Sequence, residues 1–303
     1  MSGMRERGCG PRPSGSRIAS TANAEQNRTV CTNYKPVTLQ DRLLANFGVA
    51  RPEGEDPPEF TLPGFMSPFI VRPQHKQDLM REGRIGQFGL LPEWAQDLAF
   101  GRKTYNCRTE TMKEKPAFKA AWFAGRRCVI PAEWLYEFNH ESGDPVRWCI
   151  KLAHGGPMGV AGLWGIWFDL GGNEILSFTM LTVNADGHGV FARMHPPHDE
   201  KRMPVILRPE DYDGWLNCPV EAAEQYIARF PAELLQTFPE PAPWKALPEP
   251  ESWSAMPDMF EGEWREASED QTARQLKARR NRPKPKPKPA EPPDEGAISG
   301  ELF

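Results

Sequence analysis

The stretch that decides the fold lies between residues 106 and 138 and contains three segments: Asn106-Cys-Arg-Thr-Glu110, Arg126-Arg-Cys-Val-Ile-Pro131 and Tyr136-Glu-Phe138. The first segment alternates at a spacing of two, which puts the side chains of Asn106, Arg108 and Glu110 on one face of an extended chain. A carboxamide, a guanidinium and a carboxylate are costly to bury together unless they bind one another or a ligand. The segment therefore predicts a binding or catalytic site.

The charge around this segment points to the type of ligand. The whole chain carries a formal net charge of −4, which argues against a protein that coats nucleic acid by bulk attraction. Between Gly101 and Arg127, however, eight basic residues stand against two acidic ones. Such a run is most often a solvated surface, but the polar triplet inside it favours an anionic ligand.

The cysteines and the hydropathy pattern exclude other classes of protein. The six cysteines are scattered singly, without a Cys-x-x-Cys pair or a Cys/His cluster at zinc spacing, so we expect reduced thiols, no metal and no cofactor. The longest weakly polar run, Gly155 to Phe168, is too short and too rich in glycine to span a bilayer. The N-terminal residues lack the apolar core of a signal peptide. We expect a cytoplasmic monomer that does not bind membranes.

Composition divides the chain into three parts. Residues 1–29 are rich in Gly, Ser, Arg and Asn and are expected to be a disordered extension. Residues 30–238 carry the periodic apolar pattern and form a single predicted domain. Residues 239–303 are rich in Pro and Lys, and alternating prolines exclude helix and sheet, so a disordered tail is expected.

The predicted domain is α+β, with mainly antiparallel strands and surrounding helices. Short β-favouring runs are separated by Gly, Asn and Pro turn signals, whereas other segments show helical periodicity. The predicted strands are Arg127–Pro131, Val146–Leu152, Val160–Phe168, Ile175–Val183 and Pro204–Leu207. The predicted helices are Leu39–Phe47, Pro116–Phe123, the region of Val190, Pro209–Asn217 and Val220–Arg229.

Eight motifs in sequence order resemble the SRAP family, the SOS response-associated peptidases that include the abasic-site crosslinking proteins. Besides the three segments above, they comprise Cys31, Gly89-Leu-Leu-Pro-Glu-Trp94, Pro116-x-Phe118, Thr182-x-Asn184-Ala185 and Arg202-Met-Pro-Val-Ile-Leu207. The resemblance covers residues 30 to about 216. It implies a protein that recognises an abasic site in single-stranded DNA and joins an N-terminal cysteine to the sugar aldehyde.

The resemblance also implies roles for individual residues. Cys31 is the nucleophile, Asn106 positions it, Glu137 is the acid or base, and Arg108 contacts phosphate. The candidates for further DNA contacts are two arginines of the basic run and one aromatic residue, since aromatic platforms beside basic grooves hold single strands: Arg126, Arg127 and Trp94.

A histidine shortly before Arg202 is the implied proton donor. The family usually has it two residues before this arginine, where the present chain has Glu200. His195 matches the family histidine if a short insertion follows it, and His198 is the alternative.

The implied chemistry requires a free α-amine on Cys31. Such an amine has a pKa of about 7.7–8.0 and its thiol a pKa of about 8.5, so both are partly nucleophilic at neutral pH. The amine condenses with an aldehyde and the thiol then closes a thiazolidine ring, whereas an internal cysteine gives only a reversible hemithioacetal. Thirty residues precede Cys31. Either Val30 is an alternative start codon and residues 1–29 are never made, or these residues are a propeptide that the protein removes itself.

The remaining cysteines, tryptophans and histidines are assigned ordinary structural roles. Cys107 and Cys128 are expected to pack in the interior, because free cysteine is among the most buried residue types. Most tryptophans are expected in the core, with one or two stacking on bases: Trp94, Trp122, Trp134, Trp164 and Trp167. Three histidines beside Gly or polar residues are expected at the surface: His140, His154 and His188.

Two alternative functions stay open at this point. One is a cysteine peptidase that acts on other proteins through Cys31, Glu137 and His195, and the other is a noncovalent single-strand-binding module. The chain end is similar to short peptides that dock in sliding-clamp pockets through residues such as Leu302 and Phe303, although an ordinary tail end is the favoured interpretation. DNA binding would place the protein at the nucleoid.

Overall fold

The computed structural model describes residues 33–54, 59–73, 80–143 and 145–240. The chain divides into two units, Met1–Pro241 and Ala242–Phe303, and every described residue belongs to the first. The predicted extension at residues 1–29, the predicted nucleophile Cys31 and the tail residues Leu302 and Phe303 lie outside the described residues. The three-part division of the chain and the clamp contact therefore stay predictions.

The described residues form one mixed sheet in which five strands close into a barrel. The pairings β5–β7, β7–β8, β8–β3, β3–β2 and β2–β5 return to their starting strand. Only the pairings of β8 with β3 and β4 are parallel among those described, so the predicted α+β class with mainly antiparallel strands is confirmed. The strands are β1 (Asn33–Pro36), β2 (Met66–Val71), β3 (Glu82–Phe88), β4 (Asn106–Arg108), β5 (Arg127–Asn139), β6 (Val146–Leu152), β7 (Met158–Phe168), β8 (Glu174–Asn184), β9 (Arg202–Pro204), β10 (Ile206–Leu207) and β11 (Leu235–Pro239).

Three α-helices and five short 3-10 segments surround the sheet within the described residues. The α-helices are α1 (Gln40–Phe47), α2 (Pro116–Phe123) and α3 (Tyr212–Asn217). The 3-10 segments are Leu98–Lys103, Phe191–Arg193, Pro209–Asp211, Val220–Tyr226 and Ala232–Leu234. None of the helices described is long and apolar enough to cross a membrane.

The helix predicted over Val220–Arg229 is shorter than predicted and is not an α-helix. The segment forms a 3-10 helix that stops at Tyr226, and the following Ile227 is extended. So short a segment cannot sustain an α-helix alone, since helix nucleation is unfavourable and packing must stabilise it. Here packing is limited to one side, where Tyr226 contacts Trp215 and Ala223 is buried.

Both faces of the barrel strands are buried, each in its own cluster. Inside the barrel Phe178 stacks on Phe69 and Phe88, with ring centroids 5.2 and 5.5 Å apart. The alternate residues of the same strands face outward and pack against the helices, as Val129 and Leu181 do. Because successive side chains of a strand point to opposite faces, one run of apolar residues supplies both cores.

Strand β5 is longer than predicted and carries the polar end of the decisive stretch. Arg127–Ala132 pairs with β7, and the residues after it pair with β1 and β6 as far as Asn139. Pro131 was expected to end the strand, but it lies opposite Gly159 and accepts a hydrogen bond from the amide of Val37. The strand therefore continues past the proline and brings Glu137 beside β1 and β6.

Candidate functional site

An ionic network links β4, β8 and β9 at the predicted site. The guanidinium of Arg202 donates to both carboxylate oxygens of Glu110 at 2.9 Å and to the carbonyl oxygen of Thr182 at 2.6 Å. Glu200 accepts from Arg202 at 2.9 Å and from Arg108 at 2.7 Å. Two members of the predicted triplet are thus joined through two residues that are distant in the sequence.

The burial of Arg202 explains the shape of this network. Its side chain is only 1% exposed, and a buried guanidinium requires acceptors for its donors. Burial alone would raise the pKa of Glu110, but the hydrogen bonds and charge of Arg202, with backbone donors, lower it overall. Arg108 is nearly half exposed and forms the outer end of the network.

Glu137 is a carboxylic acid on the core side of β5. The residue is 3% exposed, shares its strand face with the core residue Leu135, and lies opposite Trp148 of β6. An ionisable group in such surroundings is a candidate for acid–base chemistry. The structure therefore supports an inward-facing Glu137 rather than an outward strand residue.

His195 is buried and held in one orientation. Its Nε2 lies 2.8 Å from the carbonyl oxygen of Arg202, which can only accept, so Nε2 donates and Nδ1 is the ring nitrogen left for another partner. The alternative candidate, His198, is exposed. Lys201 also donates to the His195 carbonyl oxygen at 3.2 Å, which closes the loop between the two residues.

His140 connects this loop to the end of β5. Burial lowers the pKa of the His140 imidazole, and the nearby charges of His195 and Lys201 lower it further. His140 follows Asn139, the last residue of β5, and Glu137 lies three positions before it. His140 is partly buried rather than fully exposed, and it interacts electrostatically with the candidate histidine, which the sequence did not predict.

Asn33 is the described residue nearest in sequence to Cys31. It begins the described part of β1 and pairs with Tyr136, the neighbour of Glu137. The residue is 4% exposed, and neither Nδ2 nor Oδ1 has a hydrogen-bond partner among the described residues. A buried carboxamide without partners is uncommon in proteins and requires an explanation.

Arg127 does not have the geometry of a DNA contact. Its side chain is buried, Nε donates to the carbonyl oxygen of Trp215 at 2.6 Å, and a terminal nitrogen donates to the carbonyl oxygen of Cys218. The guanidinium ties β5 to the end of α3. The expectation that Arg127 contacts DNA is corrected, because both faces of β5 are covered here and its guanidinium is used by the carbonyl groups at the end of α3.

The other two DNA-contact candidates lie away from the ionic network. Arg126 lies over the ring of Trp164, whose register partner on β8 is four residues from Thr182, or about 14 Å. Trp94 is 55% exposed and packs edge-on against Phe100, with centroids 4.9 Å apart. Trp94 is therefore not a core residue, and it remains a candidate for stacking on bases.

The structure settles most of the assigned packing roles. Cys107 and Cys128 are fully buried, and burial raises the pKa of both thiols, as a packing role requires. Trp122, Trp164 and Trp167 are buried as predicted, whereas Trp134 is only partly buried. His154 is exposed as predicted.

The surface prediction for His188 is wrong. Its ring is buried, Nε2 lies 2.7 Å from the carbonyl oxygen of Phe230, and Nδ1 accepts from the amides of Val190 and Phe191. The ring thus satisfies amides at the start of the Phe191–Arg193 turn. The flanking glycines suggested an exposed turn, but they do not determine where the side chain packs.

Sequence reasoning missed the parts played by Glu200 and Asn33. Glu200 was noted only as a departure from the family pattern, at a position usually held by histidine, and Asn33 was not singled out. Their surroundings depend on β9 and β1, two short strands that carry no periodicity of their own. In the described part of the chain, no group of three His, Cys, Asp or Glu side chains is placed to hold a metal ion.

Comparison with known proteins shows to which protein family this barrel and its site belong. The sequence profile of the family described as SOS response associated peptidase (SRAP) matches residues 27–242, so the chain belongs to the SRAP family. The resemblance inferred from the eight motifs is thereby confirmed.

Individual relatives agree with this assignment. The abasic site processing protein YoqW of Bacillus subtilis (strain 168) is 31% identical over 198 residues, which cover 62% of this chain and 80% of YoqW. The abasic site processing protein HMCES of Xenopus tropicalis is 32% identical over 142 residues, or 40% of each chain. A crystal structure of a protein from Bordetella bronchiseptica is 34% identical, with a TM-score of 0.64 over 69% of this chain and 99% of the other.

Proposed function

We propose that the protein recognises abasic sites in single-stranded DNA and captures them covalently through Cys31 as a thiazolidine. Its relatives YoqW and HMCES are described as abasic site processing proteins, which supports the substrate class. The capture shields the lesion. It requires removal of the residues that precede Cys31, and we include that self-processing step in the proposed activity.

The observation that carries the proposal is the register of β1 against β5. Asn33 pairs with Tyr136, so the chain leading back to Cys31 starts beside Glu137. Consecutive Cα atoms are about 3.8 Å apart, so two residues keep the Cα atom of Cys31 within about 7.6 Å of that of Asn33. This register supports the assignment of Glu137 as the acid–base partner of Cys31 in the proposed reaction.

The proposed reaction proceeds in two bond-forming steps. The α-amine of Cys31 attacks the aldehyde carbon, and the resulting carbinolamine loses water to give an imine when its hydroxyl is protonated. The thiol sulfur then adds to the imine carbon, and the nitrogen takes up the thiol proton to complete the ring. One water molecule leaves in total, and no oxidant or reductant is consumed.

The described side chains fit the proton transfers that these steps need. Glu137 is the proposed donor to the leaving hydroxyl, since its carboxyl group is buried beside the strand that leads to Cys31. His195 presents Nδ1 as an acceptor because Nε2 donates to Arg202, and we propose that it relays the amine and thiol protons. Asn106, two residues before Arg108 on β4, is the proposed positioning group for Cys31.

Binding of the single-stranded DNA is assigned to two arginines and to one aromatic pair. Arg108 is the proposed phosphate contact, because it forms the exposed end of the ionic network. Arg126 and the exposed ring of Trp94, which packs against the partly buried Phe100, are proposed to hold flanking nucleotides.

The deciding experiment measures a covalent adduct. The mature protein is incubated with an oligonucleotide that bears one abasic site, and products are separated under denaturing conditions. We expect a stable shift that Cys31→Ser abolishes while salt-sensitive binding to intact strands persists. Cys218→Ser is the matched control and should leave the adduct unchanged.

Intact mass distinguishes the self-processing step from the capture step. The intact mass of the natively expressed protein is expected to equal that of a chain that begins at Cys31. A stable, adduct-forming species that retains residues before Cys31 would contradict the thiazolidine, because its nitrogen is an amide. Catalytic turnover on unrelated peptides would instead favour the peptidase alternative.

A further inference from the structure

A cleft of about 500 Å³ opens beside β1, on the side of the strand that carries Asn33 and Lys35. Tyr34, between these two residues, points into the core, so Asn33 and Lys35 face the other way. Their register partners on β5 are Tyr136 and Trp134. The side chains on this face of the paired strands β1 and β5 therefore form a continuous strip. It leads from Asn33, the described residue nearest to Cys31 in sequence, to the cleft.

Two ammonium groups in this cleft are held against a single indole ring. Lys35 Nζ lies 4.7 Å and Lys151 Nζ 4.2 Å from the ring centroid of Trp134. The two lysines reach the ring from β1 and β6, the strands that pair with β5 on either side of Trp134, so the sheet itself sets their separation. Cation–π contact of this kind restrains the ammonium groups while leaving them able to bind an anion.

The carboxylates near the cleft leave this positive charge largely uncompensated. Glu133 is bound by Arg42, whose Nε donates to it at 2.5 Å. Glu59 lies 3.5 Å from Lys35 but is mostly exposed, and exposed pairs of this length contribute little. A phosphate can therefore replace Glu59 without breaking a buried contact.

Asn33 provides a second, independent sign of a ligand at the other end of the strip. Its carboxamide is buried, and neither polar atom has a partner among the described residues. Such a group is costly unless something binds it. A sugar or phosphate oxygen of a strand attached to Cys31 would supply the missing partner.

We propose that Asn33, Lys35, Trp134 and Lys151 form a subsite for the stretch of single-stranded DNA that adjoins the captured lesion. Asn33 binds the sugar–phosphate unit next to the lesion, and the two lysines bind phosphates further along. The inference rests on the proposed function for its choice of strand, but its contacts are reversible and independent of the covalent step.

The first test measures reversible binding of a lesion-free oligonucleotide at several salt concentrations. Two phosphate contacts on a single strand add about 1.4 to the slope of log affinity against log salt. We therefore expect the double variant Lys35→Gln/Lys151→Gln to lose about that much slope and at least tenfold in affinity. Arg84→Gln/Arg208→Gln is the matched control with the same charge change, because both arginines are exposed and lie outside the cleft lining and outside the basic run between Gly101 and Arg127. Equal losses in both variants would overturn the subsite.

The second test uses the unpartnered carboxamide. Asn33→Leu removes a buried polar group, so the urea midpoint should stay or rise while the rate of adduct formation falls about tenfold or more. Thr179→Val is the control, because Thr179 Oγ1 is also buried without a partner among the described residues but lies in β8. It should raise the midpoint and leave the adduct rate unchanged. An unchanged rate in Asn33→Leu would remove Asn33 from the subsite.

The two proposals fail in distinguishable ways. If wild-type protein forms the adduct and the lysine variant binds normally, the subsite is wrong and the capture function stands. If no adduct forms but the lysine variant loses slope and affinity, the subsite stands as a noncovalent DNA site and the capture function is wrong.

Discussion

The guanidinium of Arg202 holds the carboxylate of Glu110 through two hydrogen bonds of 2.9 Å each. This side-by-side geometry joins β9 to the turn after β4, across 92 residues of sequence. It is the strongest arrangement available to an arginine and a carboxylate. It also places Arg108 and Glu200 at the edge of the same cluster.

The Arg202–Glu110 pair should make the fold sensitive to acid. The pKa of Glu110 is lower in the folded protein, although burial alone would raise it, because Arg202 and backbone donors bind the carboxylate. A carboxylate with a depressed pKa contributes stability that is fully present above its unfolded pKa of about 4.3 and is lost as pH falls through the folded value. Urea unfolding of wild type and Glu110→Gln should differ at pH 7 and converge below pH 4. A difference that persists unchanged at pH 3 would contradict this role.

Glu200 should compete with DNA for Arg108. Removing its charge in Glu200→Gln frees the guanidinium, so single-strand affinity should rise about two- to fivefold, the range of a partly exposed ion pair. The salt dependence should steepen by about 0.7 if one phosphate contact is gained. Fluorescence anisotropy measures both quantities. Glu210→Gln is the control, since Glu210 lies 3.9 Å from Arg208 in an exposed pair, and an equal gain there would indicate only a change in net charge.

His195 and His198 should differ sharply in the capture reaction. His195 is buried and oriented by Arg202, whereas His198 is exposed. Loss of a positioned proton-transfer group typically lowers a rate on the order of a hundredfold or more. We expect His195→Ala to slow adduct formation by about that factor and His198→Ala to leave it within twofold, as followed by denaturing gels over time. The reverse order would reassign the histidine.

Gly89 should not tolerate a side chain. Its φ is +121°, and a Cβ atom there would lie 2.2 Å from the carbonyl oxygen of Gly101. Since backbone must move to relieve this overlap, Gly89→Ala should lower the free energy of unfolding by more than about 3 kcal/mol. Gly172→Ala is the control, because its φ is also positive but nothing lies within 4 Å of the added atom. Conformational strain of about 1–2 kcal/mol is expected there, and similar losses at both sites would refute the packing argument.

The sequence predicted best where local periodicity is strong. Val146–Leu152 and Pro116–Phe123 have the predicted bounds, because alternation and helical spacing are visible within each segment. The long β7 and β8 differ from their predictions by one or two residues at an end. Strands β1, β2, β3, β4 and β11 were not predicted, since they owe their extended conformation to neighbours distant in the chain.

The candidate site was likewise predicted only in part from the sequence. The alternation of Asn106, Arg108 and Glu110 and the family motifs were visible without coordinates. The partners of these residues were not, because Glu200, Arg202 and Thr182 reach them only through β8 and β9. Arg127 and His188 are errors of the opposite kind. Both were expected at the surface because they lie in polar stretches of sequence, but their side chains are buried and hydrogen-bond to backbone carbonyl oxygens.

By itself the sequence determined the family, the α+β class and the identity of the chemically active residues, because side-chain type, spacing and motif order are properties of the chain. Tertiary structure alone decided which of those residues meet. Closure of the barrel and the change of partners along β5 set burial and distance, and these in turn orient His195 and leave Asn33 without a described partner. Contacts between residues far apart in sequence depend on the packing of the whole domain, so no local pattern contains them.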